Sequence, residues 1–156
     1  MGSGKSTVGR IVADALGCLF LDLDTLVEKK AGMSVAEIFR RCGEPHFRTL
    51  EATVLADTVK KYAQGDVVLA LGGGTILSDG SRKLLREKTL CIWLDAPADV
   101  LWERVCGVDT RPLADDKFAE RLAARLPLYA EASELTIDTS GLSPQDVADE
   151  IIISCL

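Results

Sequence analysis

Apolar positions along the chain alternate between two periods. Lys5–Leu16 carries Val8, Ile11, Val12, Ala15 and Leu16 at helical spacing and stops at Gly17. Cys18–Leu21 is a short apolar run reaching Asp22, which predicts a strand, and a helix is expected over Thr25–Lys30. Ser34–Arg41 reads as a short helix, with Ser34 and Glu37 at capping-box spacing. Glu44–Tyr62 carries the stripe Phe47, Leu50, Val54, Leu55, Val59. Val67–Leu71 is continuously apolar before three glycines, the signature of a strand buried on both faces. A helix over Ser81–Lys88, a strand over Leu90–Leu94 and a helix over Pro97–Cys106 follow. Residues 107–117 have no clear period. Phe118–Glu131 is helical, with Pro127 expected to interrupt it or mark a junction. Leu135–Asp138 is a last strand, and Ser143–Ser154 a terminal helix with Ser143 as cap and Pro144 at its first position.

Strands alternating with helices predict βα units: a parallel sheet covered by helices on both faces, in one domain spanning residues 1–156. Ligands of such sheets sit beyond the carboxyl ends of the strands. That places candidate chemistry at Asp22–Asp24, at Gly72–Gly74 and after Leu94.

Composition narrows the classes. The 156 residues are 47 % hydrophobic and carry a net charge of −6, which supports a core and argues against a general nucleic-acid binder. No apolar run approaches the roughly 18 residues of a membrane span, and no secretory signal opens the chain. Five widely spaced cysteines, without a CxxC, predict free thiols in a reducing compartment rather than a disulfide framework or zinc site. His46, the only histidine, is expected to be structural or on the surface.

The sharpest local signal is Gly2-Ser3-Gly4-Lys5-Ser6-Thr7, the latter half of G-x-x-x-x-G-K-[ST]. Glycines let backbone N–H groups turn around phosphate oxygens, and the helix that follows offers unpaired N–H groups. Lys5 would reach the terminal phosphates and Ser6 would offer its hydroxyl to Mg²⁺. The motif's first glycine and the strand that delivers such a loop would fall before Met1, so the chain is expected to be truncated, started late, or impaired. Asp22 and Asp24 alternate at a strand end and so face the same side. Val67–Leu71 ends without an acidic residue, which leaves Asp22 as the carboxylate on the Mg²⁺ side. Gly72, Gly73 and Gly74 suggest close approach of a ligand to the backbone. Arg48, Arg111 and Arg125 are candidate partners for an anionic substrate, and a mobile Arg111 could close over the transferring phosphate.

Together these features resemble the shikimate kinase family. The resemblance rests on MGSGKSTVGR (1–10), FLDLDTLVE (20–28), AEIFRRCGEPHFRTLE (36–51), LALGGG (69–74), IWLDAP (92–97), ERVCGVDTRPL (103–113), RLPLY (125–129) and IDT (137–139). It implies a P-loop kinase-type three-layer α/β/α fold with strand order 2-3-1-4-5, whose first strand this chain lacks, and a mobile lid with its flanks over 104–120. It implies transfer of the ATP γ-phosphoryl to the 3-hydroxyl of shikimate, with Mg²⁺ as cofactor. Gly2, Ser3, Gly4, Lys5, Ser6, Thr7, Arg104 and Arg111 would bind ATP. Asp24, Arg48, Gly72, Gly73, Gly74 and Arg125 would bind shikimate. Lys5, Asp24 and Arg111 would be catalytic, while Ser6 and, through water, Asp22 would serve the metal. The expected partners are ATP and shikimate, without nucleic acid or membrane. The chain is expected to act as a cytoplasmic monomer, or in a plastid if its N-terminus is incomplete. Three other readings stay open: a gluconate-type kinase, a nucleoside-monophosphate kinase, and a non-catalytic relative.

Overall fold

A computed structural model of the chain describes residues 2–105 and 117–155. The elements run α1 (Lys5–Leu16), β1 (Leu19–Asp22), α2 (Leu23–Ala31), α3 (Val35–Lys61), β2 (Val67–Ala70), a 3₁₀ turn (Thr75–Leu77), α4 (Asp79–Lys88), β3 (Ile92–Asp95), α5 (Ala98–Val105), α6 (Phe118–Ala132), β4 (Leu135–Asp138) and α7 (Pro144–Cys155).

The expected alternation is present, with local differences that have physical causes. The two helices anticipated over 34–62 run on as one element broken at Gly43, whose φ of 81° and ψ of 166° are non-helical. Ser34 and Glu37 form the complete capping box at its start. Pro127 sits inside α6 and does not end it. The 3₁₀ turn after the glycines was not legible, because Thr75–Leu77 is shorter than any period can reveal.

All strand pairing is parallel. Leu19–Asp22 pairs in register with Val67–Ala70, and Ile92–Asp95 with Leu135–Asp138. These are two two-stranded pairs, β1-β2 and β3-β4. Two neighbouring pairs of parallel strands agree with the 2-3 and 4-5 neighbours of the order 2-3-1-4-5.

Helices cover both faces of these strands. On one face α1 and α7 share a core of Val8, Val12, Leu94, Ile137, Val147, Ala148 and Ile151, with Val68 and Ile92 packed against it. Residues from both pairs enter that core, so α1 and α7 tie them together by side-chain packing. On the other face Leu23, Val27, Ile38, Phe47, Val54, Leu55 and Leu85 enclose Leu69 and Leu71. Val68 and Leu69 therefore go to opposite cores, as period two demands of a doubly buried strand. A third cluster of Ala96, Leu101, Val105 and Phe118 joins α5 to α6. Gly9 is the point where α1 lies closest to the strands: a β-carbon there would meet the Phe20 ring at 2.8 Å and Val68 at 3.4 Å. No helix among the described residues is long and apolar enough to cross a membrane.

Candidate active site

The carboxyl ends of β1 and β2 and the start of α1 converge. At the start of α1, Gly2 and Gly4 hold φ values of 77° and 82°, a region that favours glycine. Gly2 is also wedged against α5, where a β-carbon would lie 2.6 Å from the Leu101 carbonyl oxygen. Gly4 is the N-cap of α1 and supplies no side-chain cap, and the first turn holds no acidic residue. The positive end of this helix is thus not countered by a cap side chain or a first-turn carboxylate of its own and favours an anion. The Lys5 ammonium donates to the buried Ser3 hydroxyl at 3.3 Å. Ser6 and Thr7 lie exposed in the same first turn.

Asp22 ends β1 and begins α2. Its Oδ1 accepts from the Asp24 and Thr25 N–H groups at 3.0 and 3.4 Å, capping the helix, while Oδ2 accepts from the Ser6 hydroxyl at 2.7 Å. The helix expected from Thr25 therefore begins two residues earlier, at Leu23, with Asp22 as its cap and Asp24 in its first turn. Asp24, half-buried two residues on, titrates at about 6. Burial is the largest cause; Asp22, Glu51 and Glu28 add negative charge, and Lys5 opposes them.

Behind Asp24 stands Glu51, 3 % exposed on α3. It accepts from the Thr75 hydroxyl at 2.8 Å and from Arg48 Nη1 at 2.9 Å. Two of the three glycines have an evident steric reason. A β-carbon on Gly72 would lie 2.9 Å from Glu51 Oε1 and 3.2 Å from Asp24 Oδ1. One on Gly74 would overlap the Arg48 guanidinium. Gly74 has an ordinary φ of −103°, so alanine fits its backbone, and the nearest obstacle to its β-carbon is the Arg48 guanidinium. Gly74→Ala is therefore expected to raise KM for the acidic substrate about tenfold or more while leaving the melting temperature within a few degrees, a loss equivalent to one charged hydrogen bond. An unchanged KM would show that Arg48 need not hold this position.

From the opposite side α6 brings Arg125 and Tyr129 to the middle glycine. Arg125 is 8 % exposed and donates to the Gly73 carbonyl at 3.4 Å; the Tyr129 hydroxyl donates to the same oxygen at 2.6 Å. Burial raises the Tyr129 pKa, against a smaller opposing pull from the positive charges of Arg125 and Arg48. Trp93 of β3 stacks on the Tyr129 ring, with centroids 5.6 Å apart. A second tie fixes α6 further along. Arg82 of α4 donates to Glu131 at 3.0 Å and to the Ile76 carbonyl at 2.8 Å, and also pairs with Asp79.

Arg104 lies at the phosphate end. It donates to the Thr139 hydroxyl at 3.0 Å, to the Thr139 carbonyl at 3.1 Å and to the Gly2 carbonyl at 3.5 Å, joining α5, the end of β4 and the glycine loop. Arg111 and most of the anticipated lid, 106–116, lie outside the described residues.

The structure therefore gathers Gly2 to Thr7, Asp22, Asp24, Arg48, Gly72 to Gly74, Arg104 and Arg125 along one edge. Sequence reasoning missed Glu51, Thr75, Tyr129 and Arg82 as parts of it. Signals existed for two: Glu51 is three residues after Arg48, and Tyr129 four after Arg125, both neighbouring positions on a helix.

A glycine loop opening a helix, paired strand-end carboxylates and parallel strands with helices on both faces define a P-loop kinase of the small-molecule class. The particular family follows from comparison: the shikimate kinase family model matches residues 1–156, and the chain belongs to that family. A shikimate kinase of Thermodesulfovibrio yellowstonii is 39 % identical over 157 residues, spanning 97 % of this chain and 88 % of that protein. The structure of shikimate kinase from Acinetobacter baumannii in complex with shikimate superposes with a TM-score of 0.93 at 35 % identity, covering 99 % of this chain and 88 % of that one. A gluconokinase from Sinorhizobium meliloti reaches a TM-score of 0.55 at 20 % identity, covering 98 % of this chain and 85 % of that one, which is a likeness of fold alone.

Proposed function

We propose that this chain transfers the γ-phosphoryl group of ATP to the 3-hydroxyl of shikimate, giving shikimate 3-phosphate and ADP. The observation that carries this reading is the placement of Asp24. It lies near the lysine of the phosphate loop and beside Gly72, while Gly73 and Gly74 meet two arginines just beyond. A substrate bearing both a hydroxyl and a carboxylate suits that order of groups. The likeness to a shikimate-bound relative supports the same choice over gluconate or a nucleotide.

Gly2 to Thr7 hold the phosphates with backbone N–H groups, and Lys5 neutralises charge on the group in transfer. Arg104 braces the loop from α5, and Arg111 is assigned to the transferring phosphate on the resemblance alone. Asp24 orients the acceptor hydroxyl and takes its proton; it need not be a strong base, because the proton leaves late in a loose transition state. Arg48 and Arg125 grip the substrate carboxylate, fixing which hydroxyl faces the phosphate.

Ser6 and Asp22 fit Mg²⁺. Their oxygens lie 2.7 Å apart, and a hydroxyl with a single carboxylate is the partial oxygen set this cation takes while keeping water and phosphate as its other ligands. Among the described residues no cluster of three His, Cys, Asp or Glu could hold a metal unaided. When bound, the ion supplies charge neutralisation on the phosphate oxygens.

The test is ADP release with Mg-ATP, with and without shikimate. Shikimate-dependent release is expected, with gluconate and nucleoside monophosphates inert; release driven by gluconate would replace this reading. Lys5→Met is expected to lower kcat by about 100- to 1000-fold while shikimate still binds, as for loss of one transition-state charge contact. Preserved turnover in that variant would remove Lys5 from the chemistry.

A further inference from the structure

Arg48 presents its Nε–Nη2 edge, the edge a carboxylate grips with two parallel hydrogen bonds. That edge is already taken. Nε and Nη2 both donate to Oε1 of Glu44, at 3.2 and 3.0 Å. Nη1 donates to Oε2 of Glu51 at 2.9 Å. Two carboxylates on one guanidinium leave this cluster with a net negative charge, a poor receiver for a further anion.

The two glutamates differ in what their departure would cost. The Glu51 side chain is 3 % exposed and anchored by the Thr75 hydroxyl, so it would leave behind buried, unpaired groups. The Glu44 side chain is 43 % exposed and can turn into water at little cost. Glu44 also stands directly after the break at Gly43, where α3 restarts, so its Arg48 contact spans a single helical turn. Arg48 itself is 20 % exposed, open enough for an exchange of partners and screened enough for the partner's charge to count.

We infer that Glu44 is an internal competitor for the substrate carboxylate: it occupies the Nε–Nη2 edge of Arg48 in the ligand-free protein and yields that edge when the substrate binds. Glu51 stays in place throughout and keeps the guanidinium seated over Gly74. Glu44 thereby sets the affinity for the acidic substrate. It denies the edge to weaker anions and retakes it as product leaves. This inference rests on the reading of Arg48 as the carboxylate-binding arginine.

The test compares wild type, Glu44→Gln, Arg48→Ala and the double variant, with KM for shikimate and for ATP measured separately. Glutamine keeps the shape of Glu44 and removes its charge. Glu44→Gln is expected to lower KM for shikimate about three- to fivefold, as for loss of a half-exposed ion pair, with KM for ATP unmoved. A carboxamide analogue of shikimate should gain nothing from the same substitution. In the Arg48→Ala background Glu44→Gln should change nothing further. A residue that merely supported the fold would move KM upward, so the direction of change is diagnostic. If Glu44→Gln raises KM or leaves it unchanged while Arg48→Ala raises it strongly, Glu44 is a holder of Arg48 and the inference is overturned, with the role of Arg48 intact. If Arg48→Ala leaves KM for shikimate unchanged, the underlying reading of Arg48 fails and the inference fails with it.

Discussion

Asp24→Asn is expected to cost about 100- to 10,000-fold in turnover, the range for removing a positioned general base, and to raise the melting temperature at neutral pH. Both effects come from the same surroundings. Burial and the nearby Asp22 and Glu51 carboxylates push the Asp24 pKa from 3.8 to about 6. Between those two values the folded chain holds a proton that the unfolded chain has lost, so stability falls as pH rises across this window. Above about pH 6 the destabilisation is fully present; below 3.8 it is absent. Its size is about 3 kcal/mol, which for a chain of this length corresponds to roughly 9 °C. Asparagine carries no charge to desolvate, so the variant should melt higher at pH 7.5 and lose that advantage near pH 4. The acidic limb of kcat/KM for shikimate in the wild type should fall near pH 6. Equal melting temperatures at pH 7.5 would show that Asp24 is not strained by its neighbours. Retained turnover would show that it does not take the proton.

The second large effect is expected from Arg125→Ala: KM for shikimate rising by about 100-fold, with KM for ATP changed little. Arg125 is 8 % exposed, so its bond to an incoming carboxylate forms with water largely excluded, where charged hydrogen bonds are strongest. It projects from α6 to the Gly73 carbonyl, whereas Gly2 to Thr7 sit at the start of α1 against α5. Arg125→Lys should rescue little, because an ammonium cannot reproduce the planar fork. Equal rises in both KM values, or a large fall in melting temperature, would mean that Arg125 holds α6 in place instead of gripping the substrate. Tyr129 and the Arg82–Glu131 pair hold α6 independently of Arg125, which makes the selective outcome the expected one.

Much of this site could be read without a structure, and the readable parts share a property: each is built by residues adjacent in sequence. The glycine loop is a run of backbone conformations set by Gly2 and Gly4 themselves. Asp22 and Asp24 read as alternating strand positions, but Asp22 ends β1 and Asp24 lies in the first turn of α2, held beside it by the N–H it donates to the Asp22 carboxylate. The strands Val67–Ala70 and Ile92–Asp95 were visible within the apolar runs Val67–Leu71 and Leu90–Leu94 because they face helices on more than one side, although Leu90 itself precedes its strand and is exposed. The break at Gly43 fell in the gap between two anticipated helices, since a glycine followed by Glu44-Pro45 interrupts the helical period.

The unreadable parts depend on groups far apart along the chain. Glu51 meets Thr75 across 24 residues, Arg82 meets Glu131 across 49, and Tyr129 meets Gly73 across 56. The pairing of strands into β1-β2 and β3-β4 agrees with the order that the family resemblance implied, but nothing in the residues of the strands themselves specified it. The sequence by itself determined the class of chemistry, because phosphate-binding backbone geometry and the choice of carboxylate and guanidinium groups are local properties. Only the tertiary structure decided how strongly those groups act. A carboxylate's pKa and a guanidinium's free edge depend on burial and on neighbouring charges, and these exist only once distant segments have excluded water together.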